Sequence, residues 1–372
     1  MNFELNDEQR MLVESAQRYV QNTFDLERRR RAVSGDDDYS KEQWRQFAEL
    51  GWLAITLPEV AGGLDWGVVE LSLLMEQLGR GLVNEPIIDS SVLCASVLSH
   101  ASSSDLAIQT LEQIAVGESV VALAHREAQG RSELETPIES TVDKQGEALT
   151  LNGRKAQIFY GGVADAFLVS AIHQGETVLL LVPADAEGVT VKSYTLIDGT
   201  CAADAEFNAV KLDAAAELLR GDQVLSSIEL GVDKSIIAGC GMALGSMEMA
   251  MEMTADYLKQ REQYGKPLAQ FQALQHRMSE MLVETEQARS ILYRALSLFN
   301  DPSTRREAVS SAKVLISKAA RWVTAQGIQL HGGIGTSEEF AIGHHYKAML
   351  VFEERFGDSE WHLEQSARLL SV

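Results

Sequence analysis

A chain of 372 residues is too long for one ordinary core, and 45% hydrophobic against 23% charged residues is a globular balance. A formal net charge of −22 argues against nucleic acid as a partner, because the overall field repels phosphates. The longest apolar runs, such as 177–183, are far too short for a bilayer span, and the start MNFELNDEQR lacks the pattern of a signal peptide. Cys94, Cys201 and Cys240 are odd in number and far apart, which reads as reduced core thiols of a cytoplasmic protein. Any phosphorylated ligand must then be held by a few placed arginines, glycines and helix N-termini.

In chain order, residues 1–117 read as helical. FELNDEQR supplies an Asn/Asp cap with acids in the first turn, and Leu12, Ala16, Tyr19 and Val20 recur at helical spacing. The basic run 28–31, followed by Asp36, Asp37 and Asp38, reads as a solvated face. Pro58 and Gly62-Gly63 punctuate a break before a second helix over 68–82. Between 118 and 213, short β-rich runs at 120–123, 150–151, 167–171, 178–182, 189–191 and 205–210 alternate with turns, Asn152-Gly153 among them as a hairpin-type signal. Six strands between two helical blocks predict a compact antiparallel sheet unit. From 214 to 372 helical periodicity returns over 224–260, 273–299, 304–330 and 340–355, with breaks at Pro267 and Gly332-Gly333. The expected fold class is α+β: an N-terminal all-α domain, a middle antiparallel β domain and a C-terminal four-helix bundle.

Three segments could carry chemistry. REQYGKPLAQFQ, starting at Arg261, places an arginine, a tight turn and a helix start together, which suits a pyrophosphate; an ordinary inter-helix loop is the competing reading. QLHGGIG, starting at Gln329, has three glycines in four positions, which allow close backbone approach or form a helix C-cap. His331 within it reads as a structural histidine. His344 and His345 are adjacent and point about 100° apart on a helix, a poor metal pair. No metal site and no nucleophile elbow is expected.

Together these segments resemble the acyl-CoA dehydrogenase family over essentially the whole chain. LGWLAITLPEVAGGL and MEQLGRGLVNEP resemble its N-terminal pattern, REQYGKPLAQFQALQHRMSEM its arginine-aromatic-Gly-Lys-Pro signature, and QLHGGIG its Gln-x-x-Gly-Gly-x-Gly signature. The resemblance implies bound FAD and α,β-desaturation of an acyl-CoA thioester, with an electron-transferring flavoprotein as redox partner. It also implies that Arg261 binds the FAD pyrophosphate and Tyr264 packs near the adenine half, where the family usually has Phe. Gln263, Phe271, Gln272, Gln329, Gly332 and Gly333 complete the cofactor-binding set, which in the family reaches the FAD of a neighbouring subunit.

The likeness fails at the catalytic base. Phe356 or Gly357 stands at one usual glutamate position and Ser235 at the other, followed by Ile236 where some members carry a substrate-binding arginine. Glu354 and Asp358 are the nearest substitutes, and a solvated helix end is the competing reading for Glu354. The flavin-side motif is altered to HREAQGRSE, starting at His125, and QIFYG, starting at Gln157. With Gly153-Arg-Lys and Ala164-Asp, this resembles the small subunits of heteromeric acyl-CoA dehydrogenases, such as the pimeloyl-CoA type and bacterial steroid side-chain enzymes. The asymmetry implies a partner subunit in an α2β2 heterotetramer of lipid or steroid degradation, one that completes the FAD site of a catalytic subunit. The alternatives are a homo-oligomeric dehydrogenase with a relocated base and a flavin-free structural or regulatory module.

Overall fold

The first ordered turn begins with a reciprocal cap: Asn6 Oδ1 accepts from Gln9 N at 2.8 Å, and Gln9 Oε1 accepts from Asn6 N at 3.0 Å. The structure, a computed structural model, describes residues 4–23, 26–34, 39–146 and 148–370. Phe3 and the acidic run Asp36, Asp37, Asp38 lie outside the described residues. The chain divides into two compact units: residues 1–31, 68–83 and 236–372, and residues 32–67 and 84–235.

In the first unit, α1 (Asp7–Thr23) turns Leu12, Ala16 and Val20 inward, the spacing expected of its sequence. The basic run does not form a uniform solvated face. Arg29, in α2 (Leu26–Ser34), is buried and donates to Leu82 O at 3.3 Å. Two further helices, α3 (Lys41–Glu49) and α4 (Val68–Arg80), follow in sequence, α3 belonging to the second unit.

The C-terminal part of the first unit holds the end of α7 (Asp222–Gln260), then α8 (Gln272–Leu298), α9 (Arg305–His331) and α10 (Ala341–Glu354). These are the four long helices expected from periodicity. A fifth, α11 (Ser359–Leu370), packs on α9 and was not anticipated. Helices α4 and α7 cross with their backbones nearly touching. A Cβ added at Gly79 would lie 2.1 Å from Met242 O, and one at Gly245 would lie 1.8 Å from Glu76 O. Ion pairs flank this crossing: Arg80 to Glu248 at 2.9 Å, Arg289 to Glu76 at 3.0 Å, and Arg289 to Glu248.

The second unit carries α3, then a π-helical segment, Ile87–Cys94, running into α5 (Ala95–Ser99) and α6 (Asp105–Ala115). Its sheet has eight strands: β1 (Val121–Ala124), β2 (Thr141–Gln145), β3 (Ala148–Phe159), β4 (Ala166–His173), β5 (Glu176–Pro183), β6 (Val189–Thr195), β7 (Cys201–Asp213) and β8 (Glu217–Arg220). The order is β6-β7-β3-β2-β4-β5-β8, with β1 beside β4.

The sheet is mixed, which corrects the expected antiparallel unit: β1 runs parallel to β4, because the loop after β1 crosses over before β2 begins. Asn152-Gly153 is not a hairpin turn. It is a bulge inside the twelve-residue β3, where Asn152 Oδ1 accepts from Ala209 N at 2.8 Å and a Cβ on Gly153 would meet Ser140 Oγ at 2.2 Å. The short polar strands β2 and β8 lack clear alternation and were missed, so strand structure extends past 213. Phe167, Val169, Val178, Leu180, Phe207 and Val210 fill the core under the sheet.

Among the buried histidines, His345, His362 and His125 are held neutral. Burial pushes His345 down to about 3, with the charges of Arg29, His344 and Arg80 adding to it. Burial and Lys313 do the same for His362, and burial and Lys155 for His125, each to about 3. His362 is pinned on both sides: Nε2–H donates to Phe356 O at 3.0 Å, and Nδ1 accepts from Ser310 Oγ at 3.1 Å.

Two measurements follow from this packing. Gly245→Ala should destabilise the chain by about 1–3 kcal/mol, because a carbonyl occupies the added methyl's place; thermal unfolding reads it. The folded histidine pKa values lie below the ordinary 6.5, so the unfolded chain binds protons first as the pH falls. Stability is therefore full above about pH 6.5 and lost progressively towards pH 3, by up to ~1.4 kcal/mol per pH unit for each histidine. The unfolding midpoint should drop between pH 7.5 and 5.5, and His345→Gln should flatten that drop.

Candidate functional site

Two places bear on chemistry, one in each unit. In the first unit, α7 ends at Gln260 and the chain reverses through a two-stranded hairpin, Glu262–Gln263 against Lys266–Pro267. Tyr264 and Gly265 form the tip at φ 54° and 76°, the left-handed pair that a tight hairpin needs. Arg261, at the hairpin's base, accepts from Leu268 N through its carbonyl at 2.8 Å, and its guanidinium has no side-chain partner among the described residues. Nearby, α9 stops at His331 because Gly332 takes φ 66°, ψ −142°, a conformation closed to other residues.

These termini enclose a cleft of about 500 Å3, lined by Tyr257, Arg261, Leu268, Gln329, Leu330, His331, Gly332, Gly333 and Ile334. Of the residues singled out from sequence, Arg261, Gln329, Gly332 and Gly333 meet here. Gln263, Tyr264, Phe271 and Gln272 do not line the cleft. Tyr264 is 90% exposed at the hairpin tip, its ring 6.2 Å from Phe271, and Lys266 Nζ lies 4.3 Å over the Phe271 ring.

His331 and Tyr257 were not anticipated as lining. The two rings stack at 4.5 Å, and His331 Nδ1–H donates to Gly327 O at 2.7 Å, which fixes the end of α9. Its Nε2 is buried without a partner, and burial lowers its pKa. Aromatic stacking across the fold leaves no trace in local sequence.

A phosphorylated cofactor fits this cleft. Arg261 offers an uncommitted guanidinium, and nothing lies within 4 Å of a Cβ at Gly332 or Gly333, so the backbone is open to close approach. FAD is the group that the sequence resemblance implies, and the same residues would take its pyrophosphate.

The base positions are filled. Phe356 and Gly357 form a left-handed turn after α10, at φ 61° and 99°. A Cβ on Gly357 would lie 2.6 Å from Trp361 Cε3 and 3.3 Å from His362 Nε2. Phe356 is buried, and Ser235, fully buried within α7, donates to Gly231 O at 2.8 Å. The substitutes are placed no better. Glu354 is exposed at the end of α10, and Asp358 Oδ1 accepts from Trp361 N at 2.7 Å as the cap of α11.

In the second unit, the altered flavin-side stretch is bound to the protein itself. Lys155 is wholly buried and donates to Glu127 Oε1 at 2.7 Å, Ser170 Oγ at 3.2 Å and His125 O at 3.2 Å. Glu127 also accepts from Ser140 N, Ser140 Oγ and Glu139 N. Burial opposes the Glu127 charge, but Lys155 and these donors outweigh it and hold the carboxyl below its ordinary pKa. Tyr160, also in this stretch, donates its hydroxyl to Asn84 O at 2.6 Å. The sequence reading noted Lys155 only as part of a tripeptide; its counter-ion lies 28 residues away.

His344 and His345 face different partners, Glu338 O at 3.2 Å and Ser246 Oγ at 2.8 Å. Among the described residues no group of three or more His, Cys, Asp or Glu could hold a metal ion, and no helix is long and apolar enough to cross a membrane.

Comparison with known proteins matches residues 6–118 to the acyl-CoA dehydrogenase N-terminal domain and residues 232–371 to the acyl-CoA dehydrogenase C-terminal domain. The acyl-CoA dehydrogenase FadE27 of Mycobacterium tuberculosis is 28% identical over 90% of this chain and 89% of its own length. Mitochondrial isovaleryl-CoA dehydrogenase of Pongo abelii is 26% identical over 96% of this chain and 87% of its own.

Butyryl-CoA dehydrogenase of Megasphaera elsdenii superposes with a TM-score of 0.90 at 24% identity over all of both chains. A chain of the ChsE4-ChsE5 complex of M. tuberculosis superposes with a TM-score of 0.88 at 24% identity, over 100% of this chain and 99% of that one. The Tcur3481-Tcur3483 steroid ACAD gives 0.86 at 25% identity over 98% of each. With matched domains at both ends and relatives aligned over nearly its whole length, the chain belongs to the acyl-CoA dehydrogenase family, a family of FAD-dependent oxidoreductases.

Proposed function

We propose that this chain serves FAD-dependent α,β-desaturation of an acyl-CoA thioester as the partner subunit of a heteromeric enzyme. It would close the nucleotide end of a FAD whose catalytic subunit supplies the glutamate. The observation that carries this reading is the Trp361 ring, 2.6 Å from where a Gly357 side chain would begin, set against an open cleft at Arg261, Gly332 and Gly333. At one base position Gly357 is closed by an indole and Phe356 is buried and apolar, and the other, Ser235, lies buried in a helix with its hydroxyl committed. Meanwhile the cleft keeps an arginine, Arg261, with no counter-ion among the described residues.

FAD, when bound, supplies the hydride acceptor. In this chain, Arg261 would hold the pyrophosphate through charge-assisted hydrogen bonds, and Gly332 and Gly333 would let the backbone approach it. Gln329 would offer its amide, and His331 would keep the turn in place through its bond to Gly327 O. Tyr264 and Phe271, at the exposed hairpin, would face a neighbouring subunit, with Gln263 and Gln272 beside them.

A general base works best in a dry pocket that raises its pKa. Glu354 is exposed and Asp358 caps a helix, so the homo-oligomer with a relocated base is the weaker reading. The Tcur3481-Tcur3483 steroid enzyme, named for two components, lends support to a heteromer and to a steroid or other lipid thioester as substrate. An electron-transferring flavoprotein as redox partner, a cytoplasmic location, and a division into residues 1–117, 118–213 and 214–372 belong to the same proposal.

Purification of the tagged chain from its native cells tests the assembly. It should copurify with a second acyl-CoA dehydrogenase chain bearing a glutamate, and flavin should be retained by the pair. Arg261→Gln should weaken FAD retention of that complex by about tenfold or more. Full FAD occupancy and dehydrogenation by this chain alone would overturn the partner role, and a colourless complex would overturn the flavin reading. Gly357→Glu should add no dehydrogenase activity and should cost about 1–3 kcal/mol of stability, since both the indole and the left-handed backbone oppose a side chain there.

A further inference from the structure

Arg261 and the Gly332-Gly333 turn face one cleft from two different helices, α7 and α9. Among the described residues no hydrogen bond joins the arginine to either glycine. Their spacing is set instead by three aromatic rings. Tyr257 lies one helical turn before Arg261, whose N–H donates to Tyr257 O at 2.8 Å. Both side chains therefore leave the same face of α7, and both line the cleft.

His331 is the last residue of α9, directly before Gly332. Its ring stacks on Tyr257 at 4.5 Å and 27°, and lies 4.9 Å from the ring of Phe340 at the start of α10. Tyr257 and Phe340 meet edge-on at 6.4 Å. All three separations lie where aromatic pairs attract.

The imidazole is itself anchored, because Nδ1–H donates to Gly327 O at 2.7 Å. A Cβ on Gly327 would lie 2.6 Å from Ile342 Cδ1 and 3.3 Å from Thr254 Oγ1. The carbonyl that holds His331 thus belongs to the residue where α9 meets both α7 and α10. On its other side Nε2 is buried without a partner, so the ring is held by that one bond and by its faces.

We infer that Tyr257 and His331 are positioning residues for the cofactor: their stack holds Arg261 opposite the Gly332-Gly333 turn. The inference rests on the reading of this cleft as a FAD pyrophosphate site. Paired hydrogen bonds from a guanidinium to phosphate are geometrically demanding, so a displaced end of α7 loses them while the fold persists. Both residues act through Arg261, and neither has to touch the cofactor.

A double-mutant cycle on the copurified flavin complex tests this, read as the FAD dissociation constant. Tyr257→Leu should weaken FAD by about tenfold, as Arg261→Gln does, and Tyr257→Phe should hold FAD to within about twofold of the unaltered complex, because the ring and not the hydroxyl acts. The double variant Tyr257→Leu, Arg261→Gln should be no weaker than Arg261→Gln alone, since both changes remove one contact; a merely structural ring would give multiplied losses of about a hundredfold. His331→Leu runs the same cycle should Tyr257→Leu fail to fold. Multiplied losses, an unaffected Tyr257→Leu complex, or a Tyr257→Phe complex as weak as Tyr257→Leu would each overturn the inference. An Arg261→Gln complex that keeps its FAD affinity would instead overturn the cofactor reading beneath it.

Discussion

An ammonium and a carboxylate taken out of water organise the sheet unit. Lys155 and Glu127 would each be strongly destabilising alone, since an isolated buried charge costs several kcal/mol. Together they require that every remaining donor and lone pair be met, and the local fold supplies this. Lys155 reaches His125 O and Ser170 Oγ, while Glu127 takes the N–H groups of Glu139 and Ser140 and the Ser140 hydroxyl. The pair thereby ties the crossover after β1 to β3, to β4 and to the start of β2. The parallel pairing of β1 with β4 itself rests on the backbone register Val121 to Ala124 against Ala166 to Val169.

The same commitment bears on function. Side chains that could have met a flavin ring or a thioester from this stretch are engaged inside the protein: Lys155 by Glu127, His125 by Ser170, Tyr160 by Asn84. In the first unit the opposite holds at the end of α7. Arg261 has no counter-ion among the described residues, and the glycines after α9 leave their surroundings open. Polar groups are thus spent inward at one candidate site and left outward-facing at the other, the contrast on which the proposed partner role rests. The Phe356-Gly357 turn sharpens this, because the indole of Trp361 and the left-handed backbone oppose a side chain at Gly357, and Phe356 is an apolar side chain buried in the fold.

The helical frame depends on a different constraint, the near contact of backbones where α4 crosses α7. Gly79 and Gly245 remove the side chains that would hold the helices apart, and the Arg80, Arg289, Glu76 and Glu248 network forms beside that crossing. Packing this close transmits position, so the end of α7, and with it Arg261, is set by residues remote in sequence.

The sequence by itself determined the helical blocks at either end, the strand-rich middle, the family, and the grouping of Arg261, Gln329, Gly332 and Gly333. The blocks follow from local periodicity carried by the residues themselves, while the family and the grouping follow from the resemblance of the two glycine-bearing motifs to that family's signatures. Tertiary structure alone decided that Asn152-Gly153 is a bulge under Ser140, that β1 is parallel, that Arg29 is buried, and that α11 returns to pack on α9. It also decided that Trp361 fills the space beside Gly357 and that His331 stacks on Tyr257. Each of these depends on groups brought together across the fold. Burial, ion pairing and ring contact are properties of neighbours in space, and a linear pattern does not encode which neighbours those will be.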